Sequence, residues 1–427
     1  MLCDKVEFPD LCLVRQEIPA PRIKDVITTL NNKLNEFKLS NKVQTGQRIA
    51  ISAGSRGIKD QPKILKELAS RFKALGAKPF IVPAMGSHGG ATSEGQAEVL
   101  RSLGIAEATI GTPIFSSVDV VEIGRTRDDL PVVIGKDFTQ AEHVVVLNRI
   151  KPHTDFVGEI ESGLLKIMVI GMGKPTGAML VHRSIIHHGF QEMVTEIGKM
   201  ILEKLPILMG IGIVENQYGE TAYLEVVKPE CIFSEERKLL RKAKRILGKI
   251  PFEDIDLLVV DEMGKEISGS GMDTKVIGRI MNLMTEEPKK RKVKRIFVRD
   301  LTEASHGNAC GIGLADYTTE RLVSKIDKEV TKTNSVLGGC PEKGRTPIAF
   351  KNDRDAIIAG LNNAGVYRFK DARLVWIKNT LQLKYLRVSE AMIEESRVAR
   401  ELMIVDGRGP FSFDRDGNLP FDTFPGD

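Results

Sequence analysis

Cysteine is scarce in this sequence, and its few residues follow no pattern of a disulfide framework or a metal site. The 427 residues include five cysteines, an odd number, and no two of them form a C-x-x-C pair. Disulfide-dependent secreted domains and thiolate zinc sites both need cysteines at close, regular spacing. The scarcity therefore argues against both classes and favours a protein of the reducing cytoplasm.

Long apolar runs and an excess of charge of one sign are also missing. The longest apolar stretches, such as residues 206–214, fall well short of the about 20 residues that cross a bilayer. Lysine and arginine number 62 against 57 acidic residues, so the net charge is +5, and the two signs are interleaved. Acidic residues lie near the N-terminus, unlike a secretory signal. We therefore expect neither a membrane nor a nucleic acid as a partner.

What the chain does have is the length and the pattern of an α/β protein with two domains. Strand-length apolar segments are repeatedly followed by a glycine-rich loop and then by apolar residues at helical spacing. Because 427 residues are long for one core, we predict α/β domains over residues 1–250 and 251–399. The tail, 400–427, is assigned to pack back on the first domain. Residues 118–123 and 132–134 are predicted to continue the first sheet, and 235–247 to form a linker helix.

Two glycine-rich loops follow predicted strands of the first domain. Residues 54–58 (GSRGI) stand between a strand and a helix, a layout in which backbone N–H groups bind anions, and Arg56 adds a positive charge. A tight turn with a solvated arginine explains this loop equally well. The second loop, 84–92, places His88 among glycines just past a strand end, where open α/β sheets bind their ligands.

Residues 148–188 concentrate the unusual chemistry, including four of the seven histidines. His153 follows another predicted strand end, so it should lie at the same edge of the sheet as His88. Lys166 stands between apolar residues, where burying an ammonium is costly unless it is paired or neutralised. Lys166 is therefore a surface lysine, an ion-pair partner or a lysine with a chemical role.

The second domain repeats the arrangement of a strand and a glycine-rich loop. Residues 261–273 (DEMGKEISGSGMD) include Lys265, and Lys275 follows directly. These cations make the loop a candidate site for a carboxylate. His306 follows the next predicted strand in the same way.

Together these motifs resemble the nickel-pincer-nucleotide-dependent lactate racemase family over most of the chain. The resemblance rests on residues 54–58, residues 86–88, His153, residues 162–166 and His182. Its most specific feature is the interval of sixteen positions between Lys166 and His182. The resemblance implies two α/β domains with the active site in the cleft between them. It also implies an isomerase that racemises or epimerises a 2-hydroxy acid.

The resemblance further implies a role for each candidate residue. The cofactor would be nickel held by pyridinium-3,5-bisthiocarboxylic acid mononucleotide, which is bound covalently to Lys166, and His182 would ligate the nickel. Racemisation by hydride transfer needs one base for each enantiomer, with a pKa near neutrality, which suits His88 and His153. Further cofactor contacts are assigned to Ser55, Arg56, Gly57, Gly163 and Lys174. Contacts to the substrate are assigned to Arg56, Lys265, Lys275 and His306.

The substrate and the partners are less closely defined. Leu164 and Leu165 stand where the family pattern has a glycine and an arginine. We therefore expect a related 2-hydroxy acid or a sugar acid rather than lactate. Proteins that synthesise the cofactor are expected partners, and a homodimer is considered.

Two other functions use parts of the same pattern. A hydrolase could hold zinc with His88, His153 and His182, since three histidines from separate loops can form an open zinc site. This function leaves Lys166 without a role. A non-catalytic phosphate- or nucleotide-binding protein would use only residues 54–58, and it leaves the histidines unexplained.

Overall fold

The computed structural model describes residues 6–283, 285–288, 291–393, 402–421 and 423–425 of the chain. The strands are β1 (Leu11–Gln16), β2 (Arg48–Ala53), β3 (Lys78–Pro83), β4 (Val120–Arg125), β5 (Pro131–Gly135), β6 (His143–Arg149), β7 (Ile207–Glu215), β8 (Thr221–Val227), β9 (Asp254–Met263), β10 (Lys292–Leu301), β11 (Tyr317–Thr319), β12 (Ile348–Phe350), β13 (Leu374–Ile377), β14 (Tyr385–Ser389) and β15 (Leu402–Gly409). The helices are α1 (Val26–Glu36), α2 (Gln61–Ala74), α3 (Ser93–Ser102), α4 (Glu107–Ile110), α5 (Lys136–Thr139), α6 (Leu164–Lys166), α7 (Lys174–His188), α8 (Phe190–Lys204), α9 (Ile232–Ile246), α10 (Thr274–Ile277), α11 (Glu320–Ser324), α12 (Lys328–Leu337) and α13 (Asp353–Asn363).

The chain divides into two compact units. The first is Pro19–Leu247, and the second combines Met1–Ile18 with Gly248–Asp427. Each unit has a sheet and helices, so the predicted α/β class is confirmed.

Two parts of the chain lie in a different unit from the predicted one. Residues 1–18 belong to the second unit, because β1 pairs with β14 on one side and with β15 on the other. The same pairing joins the described tail strand, β15, to the second unit. Residues 400, 401, 422, 426 and 427 of the predicted tail segment lie outside the described residues.

The first unit contains a five-stranded sheet in the order β3-β2-β6-β7-β8, parallel except for β8. Every residue of β7 is buried, as expected for a strand covered on both faces. Met209, Ile211 and Ile213 join the core formed with α1 and α2. The alternating residues Gly210 and Gly212 face Leu164 of α6 and two residues of α9. Helices α6 and α9 therefore cover the opposite face from α1 and α2.

Two predictions about the first unit are corrected by this arrangement. Strands β4 and β5 form a separate antiparallel ribbon instead of continuing the sheet. The residues of β4 are exposed or half-buried, so this strand lacks the two-sided burial of a central parallel strand. Helix α9 is part of the packed layer and not a linker, because its apolar residues are buried against the sheet.

The second unit contains an eight-stranded sheet in the order β12-β11-β10-β9-β13-β14-β1-β15. The strands from β12 to β13 are parallel, and the last three pair antiparallel. A fully buried Arg299 donates hydrogen bonds to Asp261 at 2.5 Å and to Asp353 at 2.8 Å. Buried charges need such partners, and these three residues hold strands and helix together inside the unit.

Among the described residues, no single helix is long and apolar enough to cross a membrane. The segments Leu164–Gly171 and Lys174–His188 pass that test as a pair, by length and composition only, with a bend of 108° between them.

Candidate active site

The carboxyl ends of three adjacent parallel strands, β3, β2 and β6, open on a pocket of about 210 Å³ in the first unit. The loops after these strands and the segment from 162 to 182 line it. This is the edge at which open α/β sheets bind ligands. The pocket brings together five of the predicted site residues, namely Ser55, Arg56, His88, Lys166 and His182.

A bend in the chain places Lys166 and His182 on the same pocket. Helix α6 ends at Lys166 and continues into a π-helical turn, Ile167–Gly171, before α7 begins. Sixteen residues of straight helix would separate the two residues by about 24 Å along the axis. The 108° bend brings α7 back over the pocket instead.

A glycine at the end of this turn lets it approach the loop of His88. The Gly86 N–H donates to the Gly171 carbonyl at 3.3 Å. A Cβ atom at position 171 would lie 2.6 Å from the Ala84 carbonyl oxygen, which is closer than side chains allow. The segment that carries Lys166 and the loop that carries His88 therefore form one wall of the pocket.

Lys166 and His153 contact each other directly. The Lys166 Nζ lies 2.5 Å from the His153 Nε2, and the His153 Nδ1 accepts the Asp155 N–H at 2.9 Å. A neutral imidazole that accepts at Nδ1 carries its proton on Nε2. That Nε2–H then donates to the amine, so the arrangement favours an uncharged Lys166.

The electrostatics around Lys166 act in the same direction. Burial lowers the pKa of Lys166 to about 8. The Asp155 carboxylate opposes this shift, while the positive charges of Arg56 and Lys151 add to it. An amine with such a pKa is a nucleophile near neutral pH, as carrier lysines require.

The ring of His153 is held by aromatic stacking and by its backbone. Phe156 stacks on the imidazole with ring centroids 4.6 Å apart, and Phe190 stacks on Phe156 at 4.1 Å. The His153 N–H donates to the buried carboxylate of Glu161 at 2.7 Å. His153 therefore has a fixed position next to Lys166.

The other two predicted histidines are exposed on the pocket wall. Surrounding protein atoms lower the pKa of His182, and the positive charge of Lys166 lowers it further. A neutral imidazole is the form that ligates a metal. His88 follows the loop turn at Gly86, within reach of solvent and of anything bound in the pocket.

Three predicted cofactor contacts have other surroundings. Lys174 is fully buried, and its Nζ donates to the Pro83 carbonyl at 2.8 Å rather than lining the pocket. Its neighbour Gln96 donates to the Gly86 carbonyl at 2.8 Å, so both residues support the loop that leads to His88. Gly57 and Gly163 also lie outside the pocket lining.

The remaining predicted residues belong to the second unit. Lys265 follows β9, and its Nζ donates to the Gly269 carbonyl at 2.6 Å. Its backbone N–H donates to the Ser305 Oγ at 3.0 Å, which places this loop beside the turn that contains His306. Lys275 lies in the short helix α10, where its N–H donates to the Asp273 side chain.

Sequence reasoning missed several charged residues of the site. Arg149, the last residue of β6, and Lys151, two residues later, line the pocket, and Arg149 forms an ion pair with Glu215. Together with Arg56 they give the pocket a positive wall suited to an anion. Their place at the end of a buried strand was a usable signal, of the same kind that identified His153.

The donor set can be tested against the implied cofactor. Within the described ranges, no three His, Cys, Asp or Glu side chains come together as a metal site. The three histidines of the zinc alternative are therefore not grouped around one position. A single histidine ligand, a nucleophilic lysine and cations for a phosphate do fit a metal whose other donors come from a tethered nucleotide.

Comparisons with known proteins agree with this site. Residues 13–193 match the model of the lactate racemase N-terminal domain. Among solved structures, the lactate racemase apoprotein from Thermoanaerobacterium thermosaccharolyticum aligns with 79% of this chain and 100% of its own, at 11% identity and a TM-score of 0.44. No curated protein matches the sequence. The match over residues 13–193 includes the pocket-lining residues Lys166, His88 and His182 as well as His153, so this part of the chain is similar to the lactate racemase N-terminal domain.

Proposed function

We propose that this protein racemises or epimerises a 2-hydroxy acid and that Lys166 carries a nickel-pincer nucleotide covalently. The observation that carries the proposal is the contact at 2.5 Å between His153 and Lys166, which lines the same pocket as His88 and His182. A lysine whose pKa burial lowers to about 8, and whose uncharged amine accepts a hydrogen bond from a histidine, is suited to forming an amide-type bond. Neither alternative function uses this contact.

The residues that would hold the cofactor all line the pocket. Lys166 would form the covalent bond, and His182 would ligate the nickel. Arg56, Arg149 and Lys151 would bind the phosphate of the nucleotide through charge-assisted hydrogen bonds. When bound, this group supplies a hydride acceptor for the carbon that carries the hydroxyl.

Acylation of Lys166 would also change the role of His153. An amide-type nitrogen does not accept hydrogen bonds, so the His153 Nε2 would lose its present partner. A base at Nε2 carries its proton on Nδ1, and the Asp155 carboxylate lies 3.9 Å from that atom. His153 could then take the hydroxyl proton of one enantiomer while His88, on the other loop, serves the second.

This division of labour needs no strong base. One histidine takes the hydroxyl proton of one enantiomer, and the other histidine, already protonated, gives a proton to that oxygen when the carbon regains its hydrogen on the other face. The substrate's carboxylate needs a cation, for which Arg56 in the pocket and Lys265, Lys275 and His306 in the second unit are the candidates.

Intact mass and optical rotation test the proposal together. The protein is produced in cells that synthesise the cofactor, and its mass is compared with that of Lys166→Ala and Lys166→Arg. We expect added mass on the parent protein alone, because a guanidinium does not form the same bond. Single enantiomers of 2-hydroxy acids should lose optical rotation only with the parent protein. An active Lys166→Ala protein would refute the proposal.

A further inference from the structure

Helix α9 presents a buried carboxylate to the N-terminus of α6, the helix that ends in Lys166. The Glu236 side chain is fully buried, and its Oε2 accepts the Leu165 N–H at 2.8 Å. The residue before α6 is Gly163, which has no side chain to cap the helix. Glu236 therefore supplies from another helix the acceptor that an N-cap residue normally provides.

Gly163 is needed to make room for this carboxylate. A Cβ atom at position 163 would overlap the Glu236 Oε1. The φ angle of Gly163 is −178°, an extended conformation that any residue adopts. The glycine is therefore required for space and not for its backbone freedom.

A second residue of α9, two turns further on, reaches the loop of His153. The Lys244 Nζ lies 2.6 Å from the Glu161 Oε1 and donates to the Gly158 carbonyl at 3.2 Å. Glu161 is fully buried, and it accepts the His153 N–H at 2.7 Å. Lys244 thus holds the carboxylate that holds the backbone of His153.

We infer that α9 positions the reactive pair: Glu236 sets Lys166, Lys244 sets His153 through Glu161, and one rigid helix thereby fixes their contact. Glu236 accepts the N–H of Leu165, and Lys244 pairs with the carboxylate of Glu161, so each acts on the pair through another residue and is a positioning residue. The inference rests on the proposed function only for the use made of Lys166. The contact itself exists without the cofactor and can be tested without it.

The test measures how fast Lys166 in cofactor-free protein reacts with an amine-specific acylating reagent, as a function of pH, by peptide mass spectrometry. When Lys166 no longer lies next to His153, its uncharged amine loses the hydrogen bond donated by the His153 Nε2–H. Labelling at pH 7 should then slow by roughly two- to tenfold, the effect of one ordinary hydrogen bond, and the midpoint should move to higher pH. We expect this result for Glu236→Ala and Lys244→Ala.

Two controls separate positioning from general destabilisation. Glu236→Gln keeps an acceptor for the Leu165 N–H and should label like the parent. Lys238→Ala removes an exposed lysine of the same helix, paired with Glu235, and should also have no effect. Circular dichroism and urea unfolding verify that each labelled variant is folded.

A double-mutant cycle gives an independent test of the contact between Gly163 and Glu236, and Lys244→Ala tests the positioning if Glu236→Ala folds poorly. Gly163→Ala should slow labelling in the parent but change little in the Glu236→Ala background, because the overlapping oxygen is gone. Equal effects of Gly163→Ala in both backgrounds would overturn the inference. So would Glu236→Ala and Lys244→Ala proteins that keep the parent's rate and midpoint. None of these assays uses cofactor-loaded enzyme. Their results can therefore be interpreted even if the proposed racemase activity is not found.

Discussion

The lowered pKa of Lys166 can be tested by comparing its reactivity with that of an exposed lysine in the same molecule. At pH 7, an amine with a pKa of about 8 is roughly 9% uncharged, against roughly 0.03% for a pKa of 10.5. The uncharged, reactive fraction therefore differs by about 300-fold between the two pKa values. A weaker base is also a weaker nucleophile, and the dependence known for thiols would reduce the advantage to roughly 20- to 30-fold.

Competitive labelling measures this ratio directly. Limiting acylating reagent is added to cofactor-free protein between about pH 6 and about pH 11, a range that includes both the lowered pKa of Lys166 and the ordinary lysine pKa. The exposed Lys63 serves as the internal reference. Lys166 should label first at pH 7, and its rate should reach half its plateau near pH 8, because below that pH the amine is protonated. If Lys166 labelled no faster than Lys63 and with the same pH midpoint, the argument from burial and from the His153 tautomer would be refuted.

Three further predictions concern the histidines and the loop that supports one of them. Cofactor-loaded His182→Ala should lose its nickel in elemental analysis, and an unchanged content would mean that the ligand is another residue. In single turnovers, His88→Ala and His153→Ala should each lose the half-reaction of one enantiomer, by about 10²- to 10⁴-fold, and chiral analysis should show opposite preferences. Loss of the same enantiomer in both variants would end the two-base assignment. Gln96→Leu leaves the Gly86 carbonyl without its donor, so the free energy of unfolding in urea should fall by about 1–3 kcal/mol. An unchanged urea midpoint would show that this hydrogen bond does not stabilise the loop.

The sequence allowed the pocket to be predicted because its signals are local. Glycines after apolar segments identify loops at strand ends, and parallel strands bring those loops to one edge. His88 and His153 could therefore be expected at one edge of the sheet, whereas Lys166 was assigned to the same site only through the family resemblance. His182 was likewise assigned to the site only through the family resemblance, and the bend that brings it there was not predicted, because nothing in the letters of residues 167–173 indicates a π-helical turn.

Lys174 and the ribbon of β4 and β5 depart from the predictions for a different reason. Lys174 follows a glycine at the start of a helix, as a phosphate-binding lysine would, yet its φ of 57° accompanies a side chain buried behind the loop. The ribbon of β4 and β5 has the apolar alternation of a sheet strand, and only its exposure in the folded unit distinguishes it. Both cases depend on contacts between distant parts of the chain, which local patterns do not contain.

Helix α9 shows where a signal was present but not used. Its many charges suggested a solvated linker, but its apolar residues form a stripe at helical spacing. Glu236 lies within that stripe, between Ile232 and Leu239. A carboxylate on the buried face of a helix must find donors, which predicts a cap or an ion pair at that position. Which donors it finds could be learned only from the fold.

The placement of β1 between β14 and β15 has a consequence for how the protein is made and dissected. The second unit takes one interior strand from the beginning of the chain and the rest from after Gly248. During synthesis, residues 11–16 leave the ribosome first but have no partners until residues 385–409 follow. The first unit, by contrast, is continuous in sequence and can fold while the rest is translated. A fragment that begins at Gly248 would lack a strand inside its sheet and leave two unpaired edges that invite aggregation. Supplying residues 6–18 as a separate peptide should restore its solubility.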